Sequence, residues 1–97
     1  MTVVWSEQSR SELRAIDDFI ARDSELYAGR QVQRVIAKDE QTSLMPTCGH
    51  PVHEYPKSGF REVHEGGYRI IYRFSSEEMD VATIAHMKQD FPKARLS

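Results

Sequence analysis

The stretch Arg61–Phe74, "REVHEGGYRIIYRF", limits what this chain can become more than any other segment. Gly66 and Gly67 tolerate positive φ at no steric cost, so they suit a two-residue turn between two β-rich runs. A turn centred there pairs Glu65 with Tyr68, His64 with Arg69 and Val63 with Ile70. Cross-strand partners share a face. One face then holds Val63, Ile70, Tyr72 and Phe74, with Tyr68 near the turn. The other holds Phe60, Glu62, His64, Arg69, Ile71 and Arg73. The first face needs an apolar cover. The second is expected to meet water or a partner.

Two helices upstream supply that cover. "TVVW" at residues 2–5 predicts a first strand. Ser6 follows as a helix cap, with Glu7 in the first turn, where the helix dipole favours an acid. Leu13, Ile16, Phe19 and Ile20 recur at three- and four-residue spacing and form one apolar stripe. The pattern breaks at "RDSE", where Asp23 or Ser24 can cap a second helix. Its stripe runs through Ala28, Val32, Val35 and Ile36 toward Leu44, and Pro46 and Gly49 close it. So short a link predicts an antiparallel helical hairpin. Residues 46–59 carry three of the four prolines and two of the five glycines, as a crossing loop does. A third strand of the C-terminal half is expected near Met79–Ala85. Pro92 argues against a long helix at the end. The order β-α-α-β-β-β predicts an α+β fold, with the helical hairpin on one face of a small, mostly antiparallel sheet. Residues 1–97 are expected to form one domain.

Composition removes several classes of function. The net charge is −2, whereas a protein that grips nucleic acid through phosphates usually carries a strong basic excess. Cys48 is the single cysteine, so no disulfide framework exists within the chain. No apolar run approaches the roughly 20 residues of a membrane span. The start "MTVVWSEQSR" lacks a basic region and a long apolar core, so a cytoplasmic protein is expected.

The segments "VVW", "SELRAIDDFI", "PTCGHPVHEYP", "REVHEGGYRIIYR" and "IAHMKQDF", in that order, resemble the RelE/ParE superfamily of toxins from bacterial type II toxin–antitoxin systems. The ParE branch is the most similar. The loop resembles that branch's Pro…Gly-Arg-Pro-Val-Pro-Glu, and the hairpin its Arg-Glu…Tyr-Arg-Ile-Ile-Tyr-Arg core. The resemblance implies a β–α–α–β–β–β fold and a growth inhibitor neutralised by a cognate antitoxin that wraps the toxin's grooves. ParE-type members, often tied to plasmid stabilization, poison DNA gyrase. RelE-type members cut mRNA on the ribosome. This chain departs from the pattern at His50, where Arg is common, at His53, where Pro is common, and at Gln89, where Arg is frequent beside Lys88. Glu62 stands where a RelE-type nuclease carries Lys, and a carboxylate there would repel the scissile phosphate. Only Arg69 and Lys88 correspond to that enzyme's basic residues.

Each chemical candidate has a plain structural counterpart. Imidazole as a group titrates near the working pH, so His64 and His86 are candidates for general acid–base work; a paired sheet histidine and a strand-end histidine are the alternative. Arg69 and Arg73 suit phosphate or an acidic antitoxin segment, or simple pairing with Glu62 at an exposed site. His50 and His53 in "HPVH" lack the further ligands zinc needs. Cys48 and His64 are the residues that folding would have to add, and no metal or cofactor is expected. Cys48 has no evident base to make it a nucleophile. Trp5, Phe19 and Tyr72 are expected in the core, with Trp5 and Phe91 alternatively exposed anchors. Asp17-Asp18 and Glu77-Glu78 are expected to be solvated.

The expectation is a toxin that binds and poisons DNA gyrase, with Glu62, Arg69, Arg73, Lys88 and Phe91 as candidate contacts to target or antitoxin. The enzymatic alternative is a ribosome-dependent mRNA endonuclease using His64, Arg69, His86 and Lys88. A further alternative is a non-toxic binding module or co-repressor with its antitoxin.

Overall fold

The computed structural model describes residues 1–88 and 93–96. Strand β1 (Thr2–Trp5) leads into helices α1 (Glu7–Ala21) and α2 (Glu25–Leu44). A 3-10 turn at Pro46–Cys48 then leads to β2 (His50–Pro51), β3 (Arg61–Glu65), β4 (Tyr68–Phe74) and β5 (Glu78–His86), and a second 3-10 turn spans Lys93–Leu96. The fold is α+β. The caps lie where the sequence predicts them. Ser6 Oγ accepts the Ser9 amide at 3.0 Å and starts α1. Of the two candidates for α2, Ser24 is the cap and accepts the Tyr27 amide at 3.1 Å.

The sheet order is β1-β5-β4-β3-β2, with β1 parallel to β5 and every other pair antiparallel. The hairpin register is the predicted one, with Glu65 opposite Tyr68, His64 opposite Arg69 and Val63 opposite Ile70. Ile71 pairs with Thr83 but Tyr72 with Val81, so Ala82 is an extra residue in β5. This bulge turns Val81 and Ile84, three apart, toward the same core. The short strand β2 adds to the predicted order. Two residues inside a proline-rich loop carry no period, yet they pair with Glu62 and Arg61 on β3.

The helix-side core joins Val35, Val63, Ile70, Tyr72, Met79, Val81 and Ile84, with Val3, Trp5, Leu13, Ile16 and Tyr68 packed around it. Trp5 and Tyr72 thus take their expected places, but Phe19 is 64% exposed. Three residues on from Ile16, it lies beyond the strip of α1 that meets the sheet. The stripe of α2 is also shifted. Ala28, Gln31, Val35, Asp39, Thr42 and Ser43 are buried, whereas Ile36 is exposed and Leu44 is 84% exposed. The inner strip of α2 meets the hairpin turn through Gln31. Gly66, at φ 56°, lies against the Gln31 side chain so closely that any β-carbon would collide with it. Gln31 therefore faces the sheet, and its neighbours Val32 and Ile36 turn aside toward α1.

The other sheet face is not left to water, contrary to the sequence expectation. Val52, Phe60, Ile71, Ala85 and Leu96 form a second apolar cluster, with Tyr55 and Ala82 against it. The crossing loop and the C-terminal turn act as a lid over the middle of this face. Tyr72 fastens the loop's start from the opposite side. Its hydroxyl donates to the Pro46 carbonyl at 2.6 Å and accepts the Gly49 amide at 3.1 Å. The C-terminal turn is fastened by Arg95, which ion-pairs with Glu12 of α1, whose carboxylate also accepts from Thr83 Oγ1. No helix among the described residues is long and apolar enough to cross a membrane.

Candidate functional site

Alternation along β3 puts Glu62 and His64 on one face, and the register puts Arg69 of β4 beside both. The crossing loop adds Glu54, which sequence reasoning did not single out. Arg69 grips Glu54 with two parallel bonds, Nη1 to Oε2 at 2.7 Å and Nη2 to Oε1 at 2.6 Å. It also donates to Glu62, Nη2 to Oε2 at 2.7 Å and Nε to Oε1 at 3.2 Å. His64 Nε2 lies 2.6 Å from Glu62 Oε1. Glu62 is only 2% exposed and Arg69 6%. The predicted weak surface pair is thus a buried network, and its integrity matters far more than that of an exposed pair.

The network sets its own charge states. The hydrogen bonds from Arg69 hold the Glu54 carboxyl below its usual range, against a smaller effect of burial. Burial alone would raise Glu62, but the bonds from Arg69 and His64 together outweigh it and keep this carboxyl low as well. Arg69 is pushed further above its already high value, chiefly by its bond to Glu54. Both acids are therefore ionised at neutral pH, and the three groups carry one net negative charge.

His50 of β2 pairs with Glu62 across the strands, and its ring meets His64 edge-on at a centroid distance of 5.3 Å. His53 and Met87 complete a shallow cleft of about 270 Å³ over Glu54, Glu62, His64 and Arg69.

The remaining candidates lie elsewhere. His86 pairs with Tyr68, with the two rings 5.8 Å apart, and borders a cleft with Ala15, Ile16 and Phe19 of α1. It is thus on the helix side of the sheet, opposite to His64. Lys88 is exposed, and its amide donates to His86 Nδ1 at 3.2 Å. Arg73 lies on the Glu62 face, but the apolar cluster around Ile71 separates it from Arg69. Its guanidinium covers the Phe60 ring at 5.2 Å, and its strand partner is Asp80. Phe91 and Gln89 fall outside the described residues. Cys48 is exposed. Among the described residues, the acid–base and basic candidates therefore do not converge on one point.

A different surface lies between the two helices. Trp5, Leu13, Val32 and Ile36 line a groove of about 420 Å³, rimmed by Arg10, Arg14 and Asp17. The rotation of α2 that buries Gln31 also opens this apolar floor.

The family described as "ParE toxin of type II toxin-antitoxin system, parDE" matches residues 3–91. No curated protein matches the chain. Among solved structures, the chain is similar to one from the chromosomal ParDE system of P. aeruginosa. That match has a TM-score of 0.77 at 17% identity, over 91% of this chain and 97% of that one. It is also similar to a chain of the RelBE2 toxin–antitoxin complex from Mycobacterium tuberculosis. There the TM-score is 0.64 at 20% identity, over 88% of each chain. A YoeB/ParE toxin from Agrobacterium tumefaciens matches with a TM-score of 0.61 at 18% identity, over 89% of this chain and 98% of that one. At these identities the structural likeness speaks for the fold.

Proposed function

The chain belongs to the ParE toxin family of type II toxin–antitoxin systems, and from that premise we propose that it inhibits growth by binding DNA gyrase rather than by cutting RNA. One observation carries the choice of binding over cleavage. His64 and His86 open onto opposite faces of the sheet, and Arg69, which would hold a phosphate between them, is clasped by Glu54 and Glu62. Cleavage by general acid and base needs both groups within reach of one scissile bond. It also needs a cation free to stabilise the charge that develops there. A ribosome-dependent nuclease built on His64, Arg69, His86 and Lys88 would have to break the buried network first. The choice of gyrase as the partner is supported by the resemblance to ParE-type toxins.

The antitoxin's place in this reading is the groove between α1 and α2. An amphipathic segment can set apolar side chains on Trp5, Leu13, Val32 and Ile36 and acidic ones against Arg10 and Arg14.

The test is induction of the chain alone in a bacterial host, with separate pulse-labelling of DNA and protein synthesis. DNA synthesis is expected to stop first, and His64→Ala and His86→Ala are expected to remain toxic. An early stop in protein synthesis, abolished by either substitution, would establish the nuclease instead. Harmless accumulation of folded protein would leave a binding module or co-repressor.

A further inference from the structure

We propose that His50, Glu62 and His64 form a transition-metal site, suited to Zn²⁺, that ties the crossing loop to the sheet. The proposal stands apart from the choice of toxin target. Two adjacent strands supply the donors: His50 is the register partner of Glu62, and His64 follows two residues later on the same face. Their ligand atoms all lie within 4.8 Å of one another. Zinc–ligand bonds of about 2.0–2.2 Å in a tetrahedron put ligand atoms roughly 3.3–3.5 Å apart. Both histidines are exposed, so their rings can close the remaining distance of at most about 1.5 Å by rotation.

The fixed member of the set is the carboxylate. Arg69 holds Glu62 from behind through two bonds and Glu54 balances the arginine, which is how supporting groups orient a metal ligand. The cation would meet a network with one net negative charge, flanked by two imidazole rings. Binding would replace the His64–Glu62 hydrogen bond. The metal would take the Nε2 lone pair of His64, and the ring proton would reside on Nδ1. Two nitrogens and one carboxylate oxygen suit Zn²⁺ among first-row ions. The fourth position is left for water from the cleft that these residues line. "HPVH" thus matters through His50 and its strand partner rather than through its own spacing.

The test uses the full chain, stripped with a chelator and titrated with Zn²⁺ by calorimetry. Co²⁺ serves as a visible probe of tetrahedral ligation. One equivalent is expected to bind and to raise the melting temperature in proportion to the logarithm of free metal. His50→Ala and His64→Ala are each expected to weaken binding more than about tenfold. His64→Gln, whose amide can still bond Glu62, guards against a folding artefact and is expected to lose the metal too. Cys48→Ser is expected to bind as the parent does. The proposal is overturned by an absence of stoichiometric binding, by binding that survives the histidine substitutions, or by binding that is lost with Cys48.

Discussion

The two faces of the sheet handle polar groups in opposite ways. The helix side is the larger apolar core, yet α2 sinks Gln31 and Asp39 into it, and no described residue hydrogen-bonds the Gln31 amide or the Asp39 carboxyl. The loop side is the smaller core, yet its charges, buried Glu62 and Arg69 and half-buried Glu54, are fully engaged with one another. Burial alone therefore does not tell whether a polar group is costly. What decides is whether the strand register and a neighbouring loop deliver a partner. The two faces also answer pH differently. Burial pushes the Asp39 carboxyl up to about 8, whereas Glu54 and Glu62 are held low.

Removing the arginine breaks the contrast most severely. Arg69→Ala leaves a buried carboxylate without its counter-ion, and about 3–5 kcal/mol of stability should disappear in urea unfolding. Replacing the network as a whole, with Arg69→Met, Glu62→Leu and Glu54→Gln together, should recover most of that loss. If Arg69→Ala unfolds like the parent, the loop-side network contributes nothing and the comparison fails.

The helix side is probed by Asp39→Asn. A carboxyl whose folded pKa lies above its ordinary 3.8 stabilises nothing by ionising. It is neutral at low pH, where its burial costs least, and stability falls as pH rises toward about 8, then levels off. The fall is at most about 1.4 kcal/mol per pH unit. Melting temperatures across this window should decline in the parent and stay flat in the variant. The depressed acids of the loop side act in the opposite window. Their contribution is present above their ordinary pKa and vanishes as pH falls through the lower, folded value. Acid unfolding should therefore persist in Asp39→Asn. An identical pH profile for parent and variant would mean that Asp39 ionises normally.

The smallest effect sits where the two sides are joined. Tyr72→Phe keeps the ring in the helix-side core but orphans the Pro46 carbonyl and the Gly49 amide of the crossing loop. A loss of about 1–2 kcal/mol is expected, together with faster amide hydrogen exchange at Gly49. Unchanged exchange would show that the loop is held by other contacts.

The sequence discloses those parts of the structure that rest on local rules. Gly66-Gly67 fixes the hairpin register, Ser6 and Ser24 cap the helices, and Leu13 and Ile16 mark the inner strip of α1. Contacts between distant segments are not disclosed in this way. Nothing periodic marks His50–Pro51 as a strand, because its pairing is set by β3. The α2 stripe looks apolar through Ile36 and Leu44, but the buried strip runs through Gln31, which meets the turn at Gly66. At the site, Glu62, His64 and Arg69 are legible as neighbours, whereas Glu54 is not, since only the path of the loop brings it there. Arg95 and Glu12 meet for the same reason, from opposite ends of the chain.

Strand order also has a kinetic consequence. β5 lies between β1 and β4, although it is the last of the five strands along the chain. Thr2–Trp5 must wait for Glu78–Val81 before it has a neighbour, and closing so long a loop early is entropically costly. Folding of this chain is therefore expected to be slow for its length. A fragment ending before Glu78 would lack an inner strand of the sheet and the surface on which α1 packs, so partial products should be inert and readily degraded.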